Sequence, residues 1–507
     1  MATGWEKARR TYWPLISGVC HIRIQRLQQI NTSAPKPEPA GKPAGSQENL
    51  LLEVRQKIYP RSVTGLFARW RWVMVWITQL MFYGLPWLSW NSRQAVLFDL
   101  AARKFQIFGL ILNPQDFIYL TGLLVISAMS LFLFTTVAGR LWCGYACPQT
   151  VYTEIFLWIE RVIEGDRGKR MKLDKADFSG KKFRLKLAKH SAWLLFSLWT
   201  GLTFVGYFTP IRDLVGQLFS FSMAGSQIFW ILFYGFATYG NAGFLREQVC
   251  KYMCPYARFQ GVMVDSDTLV ITYDPDRGDP RGSRSRKADP DKMGLGDCVD
   301  CSLCVQVCPT GIDIRDGQQY ECIGCAACID VCDQVMDKVG YPRGLIRYDT
   351  LNNMQEGGST EGLWRRVLRP RVFLYATILL VATVALLTSI ATQVPFKVDV
   401  IRDRGSLSRE VKNGLIENVY RMMIINNAEE PRTFILAVDG LPGVSIDSEH
   451  EVEVGGGTHR LVAVRVRAEP DTGEVGSNTI QFVLHTQQDP DVIRREKASF
   501  FMPRNRN

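Results

Sequence analysis

The sequence predicts a membrane α-helical bundle of about five spans, with an α+β module inserted before the last span and an all-β, Ig-like sandwich at the C-terminus. Three observations carry that reading. Hydrophobic residues make up 47% of the 507 positions while the mean hydropathy is close to zero, as when apolar spans are joined to polar domains. All 13 cysteines lie at or before Cys332, so the final domain holds none. Beyond Ala391 the pattern changes to short alternating strands divided by Gly, Pro and Asn turns. A secreted disulfide framework would not leave one domain without cysteine, so these thiols read as cofactor ligands in a reducing compartment.

Residues 1–69 are expected to form an N-terminal segment, dense in Arg and Lys and without a cleavable signal. Its Pro-, Ala- and Gly-rich stretch Ala34–Gly45 is expected to be disordered. Cys20 and His21 stand alone there and have no assigned role.

Residues 70–260 are expected to hold four spans, near Trp72–Trp90, Phe117–Ala138, Ala192–Phe208 and Gln227–Phe244. A fifth, Val372–Ile390, follows a connector within 351–391. Each approaches the ~20 residues a helix needs to cross the hydrocarbon core. The third is the shortest, and Ile211–Met223 reads as an extension or an interfacial helix; five spans are expected, with six as the alternative. Basic residues set the expected orientation. The loop from Gly139 to Lys189 carries twelve Lys and Arg against six acids, and Arg281, Arg284, Arg286 and Lys287 follow span four. The other connections are poor in basic residues. The N-terminus and both large loops are therefore expected in the cytoplasm, and the C-terminal domain on the far side. The net charge of +11 is explained by this pattern, and no nucleic-acid partner is expected.

A repeat follows spans two and four. Cys143-Gly-Tyr-Ala-Cys147-Pro148 and Cys250-Lys-Tyr-Met-Cys254-Pro255 both read C-x-Y-x-C-P at a membrane exit. If these segments stay helical, each pair shares one helix face with Cβ atoms about 5–6 Å apart. That spacing suits a soft metal or a redox-active dithiol. The plainer alternative is two helix-packing cysteines with prolines as terminators.

Residues 261–350 carry the densest chemistry. Val262–Tyr273 alternates like a strand, and Asp274–Lys292 reads as a mobile linker. Cys298, Cys301, Cys304 and Cys308, then Cys322, Cys325, Cys328 and Cys332, each keep the spacing C-x2-C-x2-C-x3-C. In two-cluster ferredoxins the fourth cysteine of each run ligates the other cluster. The expected sets for two 4Fe–4S clusters are thus Cys298, Cys301, Cys304 and Cys332, and Cys322, Cys325, Cys328 and Cys308. Paired zinc sites also use C-x2-C, but rarely three cysteines at successive x2 spacing.

In residues 392–507, strands are expected at Lys397–Ile401, Val419–Ile425, Thr433–Val438, Leu461–Val466, Thr479–His485 and Lys497–Met502, which suggests the sandwich. His450, His459 and His485 are scattered and read as surface residues. The chain shows no P-loop, Rossmann glycine fingerprint, H-E-x-x-H helix or G-x-S-x-G elbow. Electron transfer and soft-metal ligation are the chemistry on offer.

Arg246–Gln260, Gly296–Cys301, Val305–Ile314, Tyr320–Asp330 and Gly340–Tyr348 together resemble the cytochrome c oxidase accessory protein family, the CcoG, FixG or RdxA type. The resemblance runs from Tyr59 through the β-rich tail. It implies an inner-membrane polyferredoxin with a periplasmic Ig-like domain, needed for assembly of a cbb3-type oxidase, whose members reduce Cu(II) to Cu(I). It further implies partners among copper transporters, copper chaperones or oxidase subunits, besides membrane lipid and an unidentified cytoplasmic electron donor. The alternatives are a quinol-linked membrane electron conduit and a non-enzymatic assembly scaffold. The oligomeric state is open, a homo-oligomer included.

Overall fold

The computed structural model describes residues 57–503 apart from 92, 285–292, 358–365, 367, 393–395, 404–407, 412–413, 471 and 491. Cys20, His21, Ala34–Gly45, Arg286 and Lys287 lie outside the described residues.

Helix α1 (Leu66–Gly84) opens the bundle. Three short antiparallel strands follow, β1 (Val96–Asp99), β2 (Lys104–Ile107) and β3 (Leu110–Leu112). Then come α2 (Phe117–Ala138), the short α3 (Leu141–Tyr145), the amphipathic α4 (Pro148–Glu164), α5 (Arg167–Lys175) and α6 (Gly180–Val205). Helix α7 (Ile211–Phe219) leads to α8 (Gly225–Gly240), which continues as a π-helical turn at Asn241–Leu245. After a second π turn at Val249–Met253, helix α9 (Pro255–Met263) enters the cysteine-rich module.

Three of these helical stretches are long and apolar enough to cross a membrane: Phe117–Ala138, Gly225–Leu245 and the last helix, Pro370–Ala391. Their apolar side chains point outward, with Ile118 74% and Leu380 64% exposed. Such surfaces suit hydrocarbon rather than water. The two other expected spans differ from the sequence reading. The first helix begins at Leu66, and the expected end at Trp90 belongs to a two-residue strand. The third begins at Gly180, with Lys181, Lys182, Arg184, Lys186 and Lys189 in its first turns. Ile211–Phe219 is a separate helix after a turn.

The module is framed by β4 (Val270–Tyr273), which pairs antiparallel with β5 (Ile346–Asp349). Between them lie α10 (Leu303–Val307) and α11 (Ala327–Val339). Two expectations are corrected here. Only Val270–Tyr273 of the stretch Val262–Tyr273 is strand, because Pro255 at the first helical position starts a helix that runs through Met263. Nor is the described part of Asp274–Lys292 a free linker: Arg347 holds Asp274 at 2.9 Å, and Arg277 pairs with Asp297 at 2.5 Å.

The last helix, α12 (Pro370–Ala391), leads into the sandwich. One sheet orders β9 (Ser445–Ile446), β11 (His459–Ala468), β7 (Ile416–Asn426) and β6 (Phe396–Arg402), with Arg409–Glu410 added beside β7. The other orders β10 (Glu451–Val454), β8 (Arg432–Asp439), β12 (Gly476–Thr486) and β13 (Arg494–Met502). All six expected strands are present. Phe396, Tyr420, Phe434, Phe482 and Phe500 fill the space between the sheets, each fully buried. Burying such a ring stabilises the fold by roughly 1.5–3 kcal/mol. His450 and His459 are exposed; His485 is half-buried.

Module and sandwich sit at opposite ends of the bundle. At the Phe117 end of α2, Lys397 pairs with Asp116, Asn113 donates to Asn427 at 2.7 Å, and Arg93 pairs with Glu429 at 2.8 Å. At the Ala138 end, Leu269 N donates to the Val137 carbonyl at 3.0 Å, and Arg369 at the start of α12 pairs with Asp265 at 2.6 Å.

Candidate redox and metal centres

The two cysteine runs fold as copies of one loop. Asp300 and Ser302 flank Cys301 with φ of 51° and 53°, and Gly324 and Ala326 flank Cys325 with φ of 68° and 58°. Left-handed backbone on either side of the middle cysteine curls each loop around its thiols. For residues other than glycine it costs about 1–2 kcal/mol each, which the packed core must hold in place. Ser302 precedes α10 and Ala326 precedes α11, so each loop ends in a helix that carries its third cysteine inward.

Two cavities result. One is lined by Cys298, Cys301, Cys304 and Cys332, with Tyr273, Val335 and Met336. The other is lined by Cys308, Cys322, Cys325 and Cys328, with Ile271, Ile314 and Ile323; Cys304 borders this one too. The fourth cysteine of each run thus sits with the first three of the other. Burial pushes the Cys304 thiol up to about 11 despite Arg315 nearby, and those of Cys322 and Cys332 up to about 12. Thiols in such surroundings stay protonated unless cationic metal balances the thiolate. Apolar cavities ringed by four thiols fit a 4Fe–4S cluster in donor type and number. Cys301 is the exposed member of the eight, whereas Cys325 is buried.

The second site lies at the membrane border, and here the helical expectation fails. Cys143 sits in α3, but Cys147 is extended, with φ −62° and ψ 128°, and caps α4. Cys250 sits in the second π turn, and Cys254, with φ −79° and ψ 113°, caps α9. A residue before proline is kept out of the helical region, so neither pair shares one helix face.

The two repeats instead reach into each other. The Cys143 thiol donates to Gln260 Oε1 on α9 at 3.4 Å, and Arg140 donates to the Ala257 carbonyl at 2.9 Å. Reciprocally, Gln149 on α4 donates to the carbonyls of Asn241 and Arg246 at 3.0 and 3.1 Å. Burial first, then the charges of Cys147, Cys143 and Cys254, pushes the Cys250 thiol up to about 12. Burial likewise pushes Cys143 up to about 11, with Cys147 and Cys254 adding to it. The Cys143 and Cys250 thiols thus lie near those of Cys147 and Cys254. Among the described residues, no three Cys, His, Asp or Glu side chains, here or in the ferredoxin-like cavities, close tightly around a single ion.

The border group abuts the module. Cys143 and Cys250 pack against the apolar cluster of Val307, Ile323, Cys325, Ala327 and Val331. Gly144 meets Gly324 backbone to backbone, and the Gly324 carbonyl also accepts from the Tyr348 hydroxyl at 2.7 Å. A cleft of about 360 Å³ beside this contact reaches Cys322 past Arg140 and Tyr320, whose ring lies 4.6 Å beneath the Arg140 guanidinium. Gln260, Arg140 and the Gly144–Gly324 pair escaped the sequence reading. Only Arg140 offered a signal, as the basic residue leading into the repeat.

Residues 245–351 match a family described as a 4Fe-4S dicluster domain, and residues 120–170 a 4Fe-4S binding domain. Residues 386–503 match the Ig-like fold at the C-terminal of FixG. The nitrogen fixation protein FixG of Rhizobium meliloti is 39% identical over 427 residues, covering 78% of this chain and 82% of that protein. The chain belongs to the FixG/RdxA family. Protein RdxA of Cereibacter sphaeroides is 40% identical over 404 residues, covering 78% of this chain and 84% of its own. A crystal structure of a FixG-related protein from Vibrio parahaemolyticus is 26% identical and aligns over 22% of this chain and 100% of that one, with a TM-score of 0.20. Family membership and the cluster-domain matches settle the choice between zinc and iron–sulfur: this FixG-family chain is an iron–sulfur electron-transfer protein.

Proposed function

We propose that this protein carries electrons from a cytoplasmic donor to the membrane border, where Cu(II) is reduced to Cu(I) for the copper centre of a cbb3-type oxidase. A 4Fe–4S cluster, when bound, accepts and releases one electron at a time, which matches the single electron each copper ion takes up. Cys298, Cys301, Cys304 and Cys332 hold one cluster, and Cys308, Cys322, Cys325 and Cys328 the other. Exposed Cys301 marks the entry end. Buried Cys325, in contact with the Cys143 and Cys250 surroundings, marks the exit. That contact is the observation that carries the reading: the module is docked onto a thiol group rather than free to diffuse. Soft thiolates prefer Cu(I), so reduction and capture reinforce each other at such a site.

The five-span topology belongs to the same reading. The basic loops support a cytoplasmic N-terminus and module, which leaves the sandwich at the opposite end periplasmic and free to meet copper carriers or oxidase subunits. The experiment is anaerobic copper reduction by purified, reduced protein, read with a Cu(I)-specific chelator. Wild type yields Cu(I). The variant with Cys143, Cys147, Cys250 and Cys254 all changed to Ser keeps the ferredoxin signal and yields little. Equal yields remove these thiols from the pathway.

One observation favours a second reading, with quinol as the electron source. A cavity of about 310 Å³ lies among α1, α4, α6 and α8, lined by Gln79, Phe82, Tyr152, Phe204 and Tyr234, and by Ala146 and Pro148 on either side of Cys147. Apolar walls with a few polar groups suit a ring-bearing lipid. Reduction of the clusters by added quinol supports this reading, and its absence removes it.

A further inference from the structure

We propose that Arg71 and Arg140, on two sides of the cavity of Cys308, Cys322, Cys325 and Cys328, hold a cluster bound there at a higher reduction potential than one bound by Cys298, Cys301, Cys304 and Cys332. The direction of electron flow is then built into the charges around the two sites. The proposal rests on the reading above only for the use of that direction. Its test measures potentials without copper, so each can fail alone.

The argument begins with Arg71 on α1. It is 8% exposed, and its Nε has no hydrogen-bond partner among the described residues. The carboxylate of Glu154 on α4 stands 4.0 Å away, at the limit of an ion pair. A buried guanidinium held this loosely is costly unless another anion lies close. One layer of side chains separates it from a site for such an anion. Arg71 lines a small cavity with Pro309, Thr310 and Ile323, and Thr310 and Ile323 also line the cavity of Cys308, Cys322, Cys325 and Cys328. Asp330, on α11 between Cys328 and Cys332, fixes this placement by accepting from Ala68 N, one turn before Arg71, at 2.7 Å. Burial pushes the Cys325 thiol up, and the Arg71 charge pulls against it.

Arg140 covers another side of the same site. It lines one cleft together with Cys322. Its guanidinium donates to the Ala257 carbonyl and rests on the Tyr320 ring, and neither contact neutralises its charge.

The cavity of Cys298, Cys301, Cys304 and Cys332 is charged differently. Arg315 lines it, but Asp313 accepts from that guanidinium at 2.8 and 2.6 Å, and Asp300 accepts from it as well. Asp333, next to Cys332, adds a further acid. Acids thus outnumber the arginine there. Beside the other cavity two arginines face Glu154 and Asp330, and Asp330 already accepts from two backbone N–H groups.

A 4Fe–4S cluster on four thiolates is an anion that gains one more negative charge on reduction, so nearby cations raise its potential. Burial works the other way, because apolar walls disfavour the added charge while water at exposed Cys301 favours it. Charges inside the protein are screened far less than charges in solvent, and Arg71 and Arg140 therefore decide the order.

The test is an EPR-monitored redox titration of the anaerobic holoprotein, on wild type, Arg71→Gln, Arg71→Lys and Arg140→Gln. Cys301→Ser and Cys325→Ser assign each signal to its site. In wild type the signal lost in Cys325→Ser is expected at the higher potential. Arg71→Gln should weaken reduction at that site about tenfold, ~59 mV for a one-electron couple, with the other signal nearly unmoved. Arg71→Lys keeps the charge and should restore most of the shift, whereas a merely structural role would leave Lys as harmful as Gln. Arg140→Gln should move the same signal the same way by less, because Arg140 is the more exposed. A wild-type potential at the Cys325 site equal to or below that of the other site overturns the proposal, and so does an unchanged potential in Arg71→Gln. If Arg71→Gln fails to hold its clusters, the wild-type order and the Arg140→Gln shift decide.

Discussion

A methyl group on Gly144 would lie 2.7 Å from the carbonyl oxygen of Gly324, so the membrane-border repeat and the second cysteine run touch with no side chain between them. Gly324 itself holds φ +68°, which suits glycine, and has the Arg140 carbonyl 3.1 Å from where its own Cβ would stand. The contact sets the distance between the border thiols and the ferredoxin-like module.

Gly144→Ala should therefore force the loop at Gly324 away. Overpacking of this kind costs about 1–3 kcal/mol, and copper reduction should slow several-fold while iron content is kept. Thermal unfolding and Cu(I) formation measured together check it. Unchanged values in both mean the contact has slack.

Crossed ligation makes an asymmetric prediction. Cys308→Ser should damage the cluster of the Cys322 run, and Cys332→Ser the cluster of the Cys298 run. EPR of the two single variants distinguishes the surviving signals. If each substitution instead harms the cluster of its own run, the ligand sets are wrong.

Asp330 ties the bundle to the module. Its carboxylate accepts from the backbone N–H groups of Phe67 at 3.1 Å and Ala68 at 2.7 Å, at the start of α1, and it lies on α11 between Cys328 and Cys332. Asp330→Ala leaves those N–H groups without their partner and should cost about 1–2 kcal/mol. Faster proteolysis just ahead of Leu66 is the expected readout.

Glu160 anchors the border helices. It is 2% exposed and pairs with Arg170 at 2.7 Å and Arg246 at 2.9 Å. Burial alone would raise its pKa, but Arg246, Arg170 and Lys189 outweigh that and hold it below the usual glutamate value of 4.5. Its folded-state pKa being depressed, Glu160 stabilises the fold above about pH 4.5 and loses that contribution as pH falls through the lower folded value. Glu160→Gln should cost about 3 kcal/mol or more near neutral pH, because it strands buried cations. Melting temperature against pH should show the acid-side loss shrinking in the variant.

Much of this architecture was legible from residue pattern. Phe117–Ala138 is bounded by Asn113-Pro114 before it and Gly139 after it, and both ends were readable. The six main strands of the sandwich alternate cleanly, whereas Ser445–Ile446 and Arg409–Glu410 are too short to carry a period. The break at Cys147 had its signal in Pro148, which bars the preceding residue from a helix; the i, i+4 reading overlooked it. Strands β1–β3 are three or four residues each and take their shape from the sandwich and bundle they touch. The meeting of the two repeats rests on contacts such as Cys143 to Gln260, more than a hundred residues apart, which no local pattern encodes.

On the proposed path, electrons leave the module through the border thiols. The most direct measurement of that path is the reoxidation of anaerobically reduced protein on addition of Cu(II), followed by stopped-flow absorbance of the clusters. The account predicts rapid reoxidation in wild type, one Cu(I) per electron lost, and slowing by an order of magnitude or more when Cys143, Cys147, Cys250 and Cys254 are all changed to Ser. Reoxidation at the wild-type rate in that variant, with its ferredoxin clusters intact, would contradict it.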